Sequence, residues 1–201
     1  MGKKRGNGKE AEDDFIDERD EEKEKSPLRE LLGMLLYIGV VLVITFLIIT
    51  FVGQRTHVSG DSMKNTLYHG DQLIVDKITY RFKDPVRYDI IVFPYQYEEN
   101  TFYIKRIIGL PGETVQIADG EIYINGEVLR ETYGREVIQD PGMAAEPIKL
   151  GEDEYFVLGD NRNASSDSRE PSVGVIHKND IVGRAWIRIW PLNRAGILKH
   201  Q

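Results

Sequence analysis

The chain has 201 residues and a formal net charge of −7, with 41% hydrophobic and 29% charged positions. That is enough apolar side chain for one buried core plus appendages. The lack of cysteine excludes disulfides, cysteine-ligated zinc and a cysteine nucleophile. No long basic stripe is available to neutralise phosphates, so nucleic acid is not an expected partner.

Residues 1–30 are mostly Lys, Arg, Asp, Glu and Gly, which cannot bury enough apolar surface to fold, and they read as a disordered charged tail. Residues 31–53, LLGMLLYIGVVLVITFLIITFVG, carry no charge. A helix over that run, rising about 1.5 Å per residue, crosses a hydrocarbon core of about 30 Å. The run is longer than the apolar part of a cleaved signal sequence, about 7–15 residues, and no small-residue cleavage site follows it. It is also too uniformly apolar for a buried amphipathic helix. An uncleaved anchor in membrane lipid is expected. Lys23, Lys25 and Arg29 precede it closely, and only Arg55 and Lys64 follow closely. That asymmetry puts the N-terminus in the cytoplasm and residues 54–201 on the extracytoplasmic side of the cell membrane.

Beyond residue 54 the pattern changes to short alternating runs: DQLIVDKITY, YDIIVFPY, NTFYIKRIIGL, ETVQIADGEIYING, EYFVLGD and DIVGRAWIRIW. They are rich in β-branched and aromatic residues and bounded by Gly, Pro, Asn and Asp, which is the strand signature. Asp119-Gly120 and Asn125-Gly126 suit hairpin turns that need positive φ. The expected fold is mainly β: an antiparallel β-sheet domain over 54–201 behind one N-terminal transmembrane helix. Residues 130–150 break the alternation and read as a loop or small excursion.

Three stretches carry candidate chemistry. The first, HVSGDSMKNTL (57–67), places Ser62 soon after the apolar run; by itself it reads equally well as a turn. The second is TFYIKRIIGLPGE. In a strand, Tyr103, Lys105 and Ile107 share one face and Ile104, Arg106 and Ile108 the other. One of the two adjacent cations must then face whichever side is buried. An edge strand would use such a charge against aggregation. A desolvated Lys105 would instead lose its proton more readily and could accept one from a serine hydroxyl. The third, LGDNRNASSDSRE (158–170), sets Asp160, Arg162, Asp167 and Arg169 among small polar residues, either as a solvated turn or as a hydrogen-bonded scaffold. His57, His69, His177 and His200 show no metal-ligand spacing and read as surface residues.

Taken together, SGDSMKNTL, YIKRIIGLPGE and GDNRNASSDSR resemble the serine, lysine and third boxes of the bacterial type I signal peptidases. RYDIIVF (87–93) resembles the segment between the first two, and VGRAWIRIWPLNR resembles the Gram-positive branch. These segments run in family order behind the single anchor, and the resemblance spans roughly residue 30 to the C-terminus. The resemblance implies a membrane-bound serine endopeptidase that removes signal peptides from secretory preproteins after A-x-A-like sites through an acyl-enzyme, with no cofactor and no metal. It implies Ser62 as nucleophile, Lys105 as general base, Ser165 as the serine that orients the lysine by a hydrogen bond, and Met63 as a neighbour holding the geometry. Asp160, Arg162, Asp167 and Arg169 fall on positions that shape the site. Gly60 stands where some members carry a hydroxyl-bearing oxyanion donor. Asn65 stands in place of proline, which implies a less rigid turn. Tyr88 stands in place of glycine, and Glu113 in place of aspartate.

Three rivals set the resemblance in context. A serine–lysine self-cleaving repressor needs a DNA-binding helical module, where this chain offers a membrane span. A serine–histidine signal peptidase would carry histidine at the position of Lys105. An anchored β-domain that only binds a partner would need neither Ser62 nor Lys105.

Overall fold

The computed structural model describes residues 2, 27–47, 53–134 and 136–200. Most of the expected charged tail lies outside the described residues. Helix α1 is Pro27–Leu47, 21 residues with none buried. It begins before the expected start at 31, with proline in its first turn, where a missing N–H costs nothing. The expected last residue of the span, Gly53, is the first residue of a strand. Residues 48–52 lie outside the described set.

The rest is β-rich. Its strands are β1 (Gly53–His57), β2 (Gln72–Asp76), β3 (Ile90–Pro94), β4 (Phe102–Gly109), β5 (Thr114–Ala118), β6 (Glu121–Ile124), β7 (Glu127–Val128), β8 (Ile148–Lys149), β9 (Glu154–Leu158), β10 (Ile176–His177), β11 (Gly183–Trp190) and β12 (Gly196–Ile197). Among the described residues they form an eight-stranded sheet, ordered β1-β2-β11-β3-β4-β9-β10 with β12 on β11, and a four-stranded sheet, β7-β6-β5-β8. The pairings are antiparallel, as the alternating runs predict. Asp119-Gly120 (φ +53° and +80°) turns β5 into β6, and Asn125-Gly126 (φ +53° and +85°) turns β6 into β7. One expected strand segment differs. Thr79–Phe82, which overlaps the last two residues of DQLIVDKITY, is a helical turn, α2. The Asp76 carboxylate causes it by accepting the N–H groups of Ile78 and Thr79.

The large sheet is covered on both faces. Ile90, Val92 and Ile104 pack with Val58, Met63 and Leu67 on one side. Ile91, Phe93 and Ile107 pack with Val157, Val173 and Ile176 on the other. A third cluster, including Ile108, Val115, Ile117 and Phe156, fills the space between the two sheets. This double cover sets the environment of β4, whose residues from Ile104 to Gly109 are all buried.

Candidate active site

Strand β4 pairs with β3 along one side and with β9 along the other, so it is a central strand and not an edge. Lys105 pairs with Ile91 and Arg106 with Ile90, which puts the two cations on opposite faces. The sequence required one to be buried; both are, at 4% and 0% exposure.

Arg106 is fully compensated. Its Nε and Nη2 donate to the two Asp160 carboxylate oxygens at 2.8 and 2.7 Å, and Nη1 donates to the Tyr88 carbonyl at 2.9 Å. This bidentate geometry suits a buried guanidinium. Tyr88 presents that carbonyl from a positive φ of +72°, a conformation glycine adopts freely. Lys105 has no such carboxylate contact. Its Nζ donates to Ser62 Oγ at 2.9 Å and lies 4.8 Å from the centre of the Tyr103 ring. Burial pushes its pKa down to about 8, against the weaker opposing pull of Asp167, Glu170 and Asp160.

Ser62 sits in the turn Asp61–Thr66, closed by Lys64 N–H to the Asp61 carbonyl and by Thr66 and Leu67 N–H to the Met63 carbonyl. Met63 is 2% exposed and anchors that turn in the core. Asn65 has φ +83°, a conformation asparagine tolerates and proline cannot enter. The departure at that position therefore goes with a differently built turn. Gly60, at φ +89°, has open space where a Cβ would point, and its N–H donates to His69 Nδ1 at 3.3 Å. A cleft of about 250 Å³ surrounds the pair, lined by Val58, Gly60, Met63, Ile104 and Ala164 among others.

The third box follows β9. Gly159 N–H donates to Asp167, whose carboxylate also takes Arg169 Nε and Nη2 at 2.8 and 2.9 Å. Arg162 donates from Nε to the Gly159 carbonyl at 3.0 Å and pairs with Glu131 at 2.5 Å. Asp160, Arg162, Asp167 and Arg169 are all buried. They form a scaffold and not a solvated turn. Ser165 lies beside this scaffold, but its Oγ is buried without a hydrogen-bond partner. The hydrogen bond to Lys105 implied by the resemblance is not formed here; Lys105 Nζ donates to Ser62.

Asn161 was not legible as a site residue. Its backbone N–H donates to the Ser62 carbonyl at 2.9 Å and its side-chain amide to the Asp61 carbonyl at 3.1 Å. A backbone donor leaves no mark in a sequence; the asparagine beside Asp160 was the one available signal. Of the histidines, His57, His69 and His177 are exposed as expected, but His200 is not. Its Nδ1 accepts the Ile90 N–H at 3.1 Å, and burial lowers its pKa.

The model of the family described as "Signal peptidase, peptidase S26" matches residues 31–190. A "Probable signal peptidase I-2" of Synechocystis sp. is 38% identical, covering 92% of this chain and 85% of that protein. A "Signal peptidase I" of Leptolyngbya laminosa is 43% identical, covering 88% and 86%. A "Signal peptidase I P" of Bacillus subtilis subsp. natto is 36% identical, covering 86% and 96%. A family match over most of the chain, with relatives above 30% identity across their length, places this β-rich protein in the signal peptidase family, peptidase S26.

Proposed function

We propose that the chain removes signal peptides from secretory preproteins with Ser62 as nucleophile and Lys105 as general base. Family membership supports the reaction class. The observation that carries the residue assignment is the 2.9 Å contact between Lys105 Nζ and Ser62 Oγ, made by a lysine that burial drives towards the neutral amine.

Neutral Nζ takes the Ser62 proton as Oγ attacks the scissile carbonyl. The Ser62 N–H, which has no acceptor among the described residues, is free to donate to the developing oxyanion. One such donor is worth roughly 100–1000-fold in rate. The lysine ammonium then returns its proton to the leaving amine as the C–N bond breaks. An ester of Ser62 remains. Lys105 next takes a proton from water, the hydroxide attacks the ester carbonyl, and the proton returns to Oγ as the signal peptide leaves as an acid.

The geometry also suggests how substrate binds. β3 pairs with β4 from Phe102 to Arg106, but β9 pairs only from Arg106 onward, so the edge over Phe102–Lys105 is open. An extended peptide can add there through backbone hydrogen bonds. Val58, Met63 and Ile104 line the adjoining cleft and leave room for small apolar side chains, in keeping with A-x-A-like sites. Helix α1 is long and apolar enough to anchor the chain in the membrane that also holds the signal peptide. Confinement to one plane replaces part of the entropy cost of encounter. The anchor's orientation follows the basic residues before it, with the β-rich part extracytoplasmic.

The test is cleavage of a membrane-inserted preprotein by the detergent-purified chain, with the mature N-terminus sequenced. Wild type should cut after an A-x-A-like site, and Ser62→Ala and Lys105→Met should both be inactive. Persistent cleavage by Lys105→Met would assign the base elsewhere. An inert wild type would favour an anchored binding domain.

A further inference from the structure

The segment after β7 showed no pattern in sequence, yet it contacts the third box repeatedly. Residues 160–163 form a short run in which every member is held from outside. Asp160 is held by Arg106. Asn161 holds the Ser62 carbonyl and the Asp61 carbonyl. Arg162 is paired with Glu131. Asn163 donates to the Val137 carbonyl at 2.9 Å and accepts the Gln139 N–H at 3.0 Å. Arg106 is itself capped: the Tyr133 ring lies 3.7 Å from its guanidinium carbon and 5.2 Å from the Tyr88 ring. Two side chains of one loop thus close over Arg162, which follows Asn161, and over Arg106, which holds Asp160 before it. Glu131 is 9% exposed and Arg162 3%, so their pairing is shielded from solvent.

We propose that Glu131 and Tyr133 are positioning residues for the reaction, acting on Ser62 through Arg162, Arg106 and Asn161. The inference rests on the assignment of Ser62 above. Its physical basis is that Asn161 N–H fixes the Ser62 carbonyl, and so the direction of Oγ towards Lys105. That donor stays in register only while Asp160 and Arg162 on either side are fixed. Tyr133 shields the Arg106–Asp160 pair and contributes a cation–π contact. Glu131 neutralises Arg162, which would otherwise be a buried unpaired charge. Neither residue lines the cleft around Ser62 and Lys105, so the expected effect is on turnover and not on binding.

The experiment uses the full chain in detergent with Glu131→Ala, Tyr133→Leu and Tyr133→Phe, read in two ways. The first is residue-resolved amide hydrogen exchange. Asn161 should exchange roughly tenfold faster or more in Glu131→Ala and Tyr133→Leu, while Ile107 and Val157 keep their wild-type protection. The second is preprotein cleavage. Both variants should lose roughly 10- to 100-fold in kcat, as expected for a displaced nucleophile, with KM within about twofold of wild type. Tyr133→Phe, which keeps the ring, should recover most of the lost turnover. Unchanged Asn161 exchange and unchanged kcat would overturn the proposal. So would exchange that rises equally at Ile107 and Val157, because the loop would then be a general stabiliser. If wild type cleaves nothing but Asn161 still responds to both variants, the mechanical coupling stands and the assigned reaction falls.

Discussion

Two neighbouring cations in β4 have opposite fates because of what faces them. Arg106 meets the Asp160 carboxylate at hydrogen-bond distance; Lys105 meets a hydroxyl. The first therefore stays a buried ion pair and the second becomes a candidate base. A lysine with pKa about 8 is roughly one-tenth neutral at pH 7. On the proposed mechanism the deprotonated form is the active one, so kcat/KM should rise with pH and level above about 8. An acid limb near 6.5 would point to a histidine instead, and one near 10 to an exposed lysine. Glu170 raises the lysine's pKa. Glu170→Gln should therefore move the limb to lower pH without abolishing it.

At the scale of elements, the site is a junction between the turn after β1 and the loop after β9. Their contact is so close that a Cβ at Gly159 would lie 2.2 Å from Ser165 Oγ and 2.5 Å from the Ser62 carbonyl oxygen. Gly159→Ala should push the two segments apart and break the Asn161 N–H bond to Ser62. The expected loss is roughly 100-fold in kcat, the scale of an ångström's misplacement. Activity within threefold of wild type would show that the loop gives way without disturbing Ser62. The same junction shows what a sequence carries and what it does not. The strands, their antiparallel order and two hairpin turns followed from alternation and Asn/Asp-Gly pairs, because those signals are local. The three boxes were legible as motifs. Glu131 and Tyr133 were not: a glutamate and a tyrosine in an irregular stretch carry no period, and their partners Arg162 and Arg106 lie 31 and 27 positions away. The burial of both Lys105 and Arg106 was half legible, since one sequence cannot show that a sheet is covered on both faces. The missing Ser165–Lys105 hydrogen bond was also beyond reach, because side-chain direction within a box depends on the packed loop.

On the scale of the whole molecule, the chain must stay folded around its own reagent. Lys105 is the one buried cation in the site without a carboxylate ion-pair partner among the described residues. Its lowered folded-state pKa means that the unfolded chain holds that proton more tightly. Below about pH 8 the lysine is charged in both states and folding bears the full cost of burying it. Between about 8 and 10.5 the folded form has lost the proton and the unfolded form has not, so stability rises with pH through that window. Above it the cost is gone. Lys105→Met, which fills the same volume without charge, should therefore melt at a higher temperature than wild type at pH 6–7, with the gap closing at pH 10. Equal melting at pH 6 would mean that the amine is solvated after all. If Lys105→Met does melt higher at pH 6–7, one nitrogen both weakens the fold and serves as the proposed base, and selection for thermostability alone works against the activity.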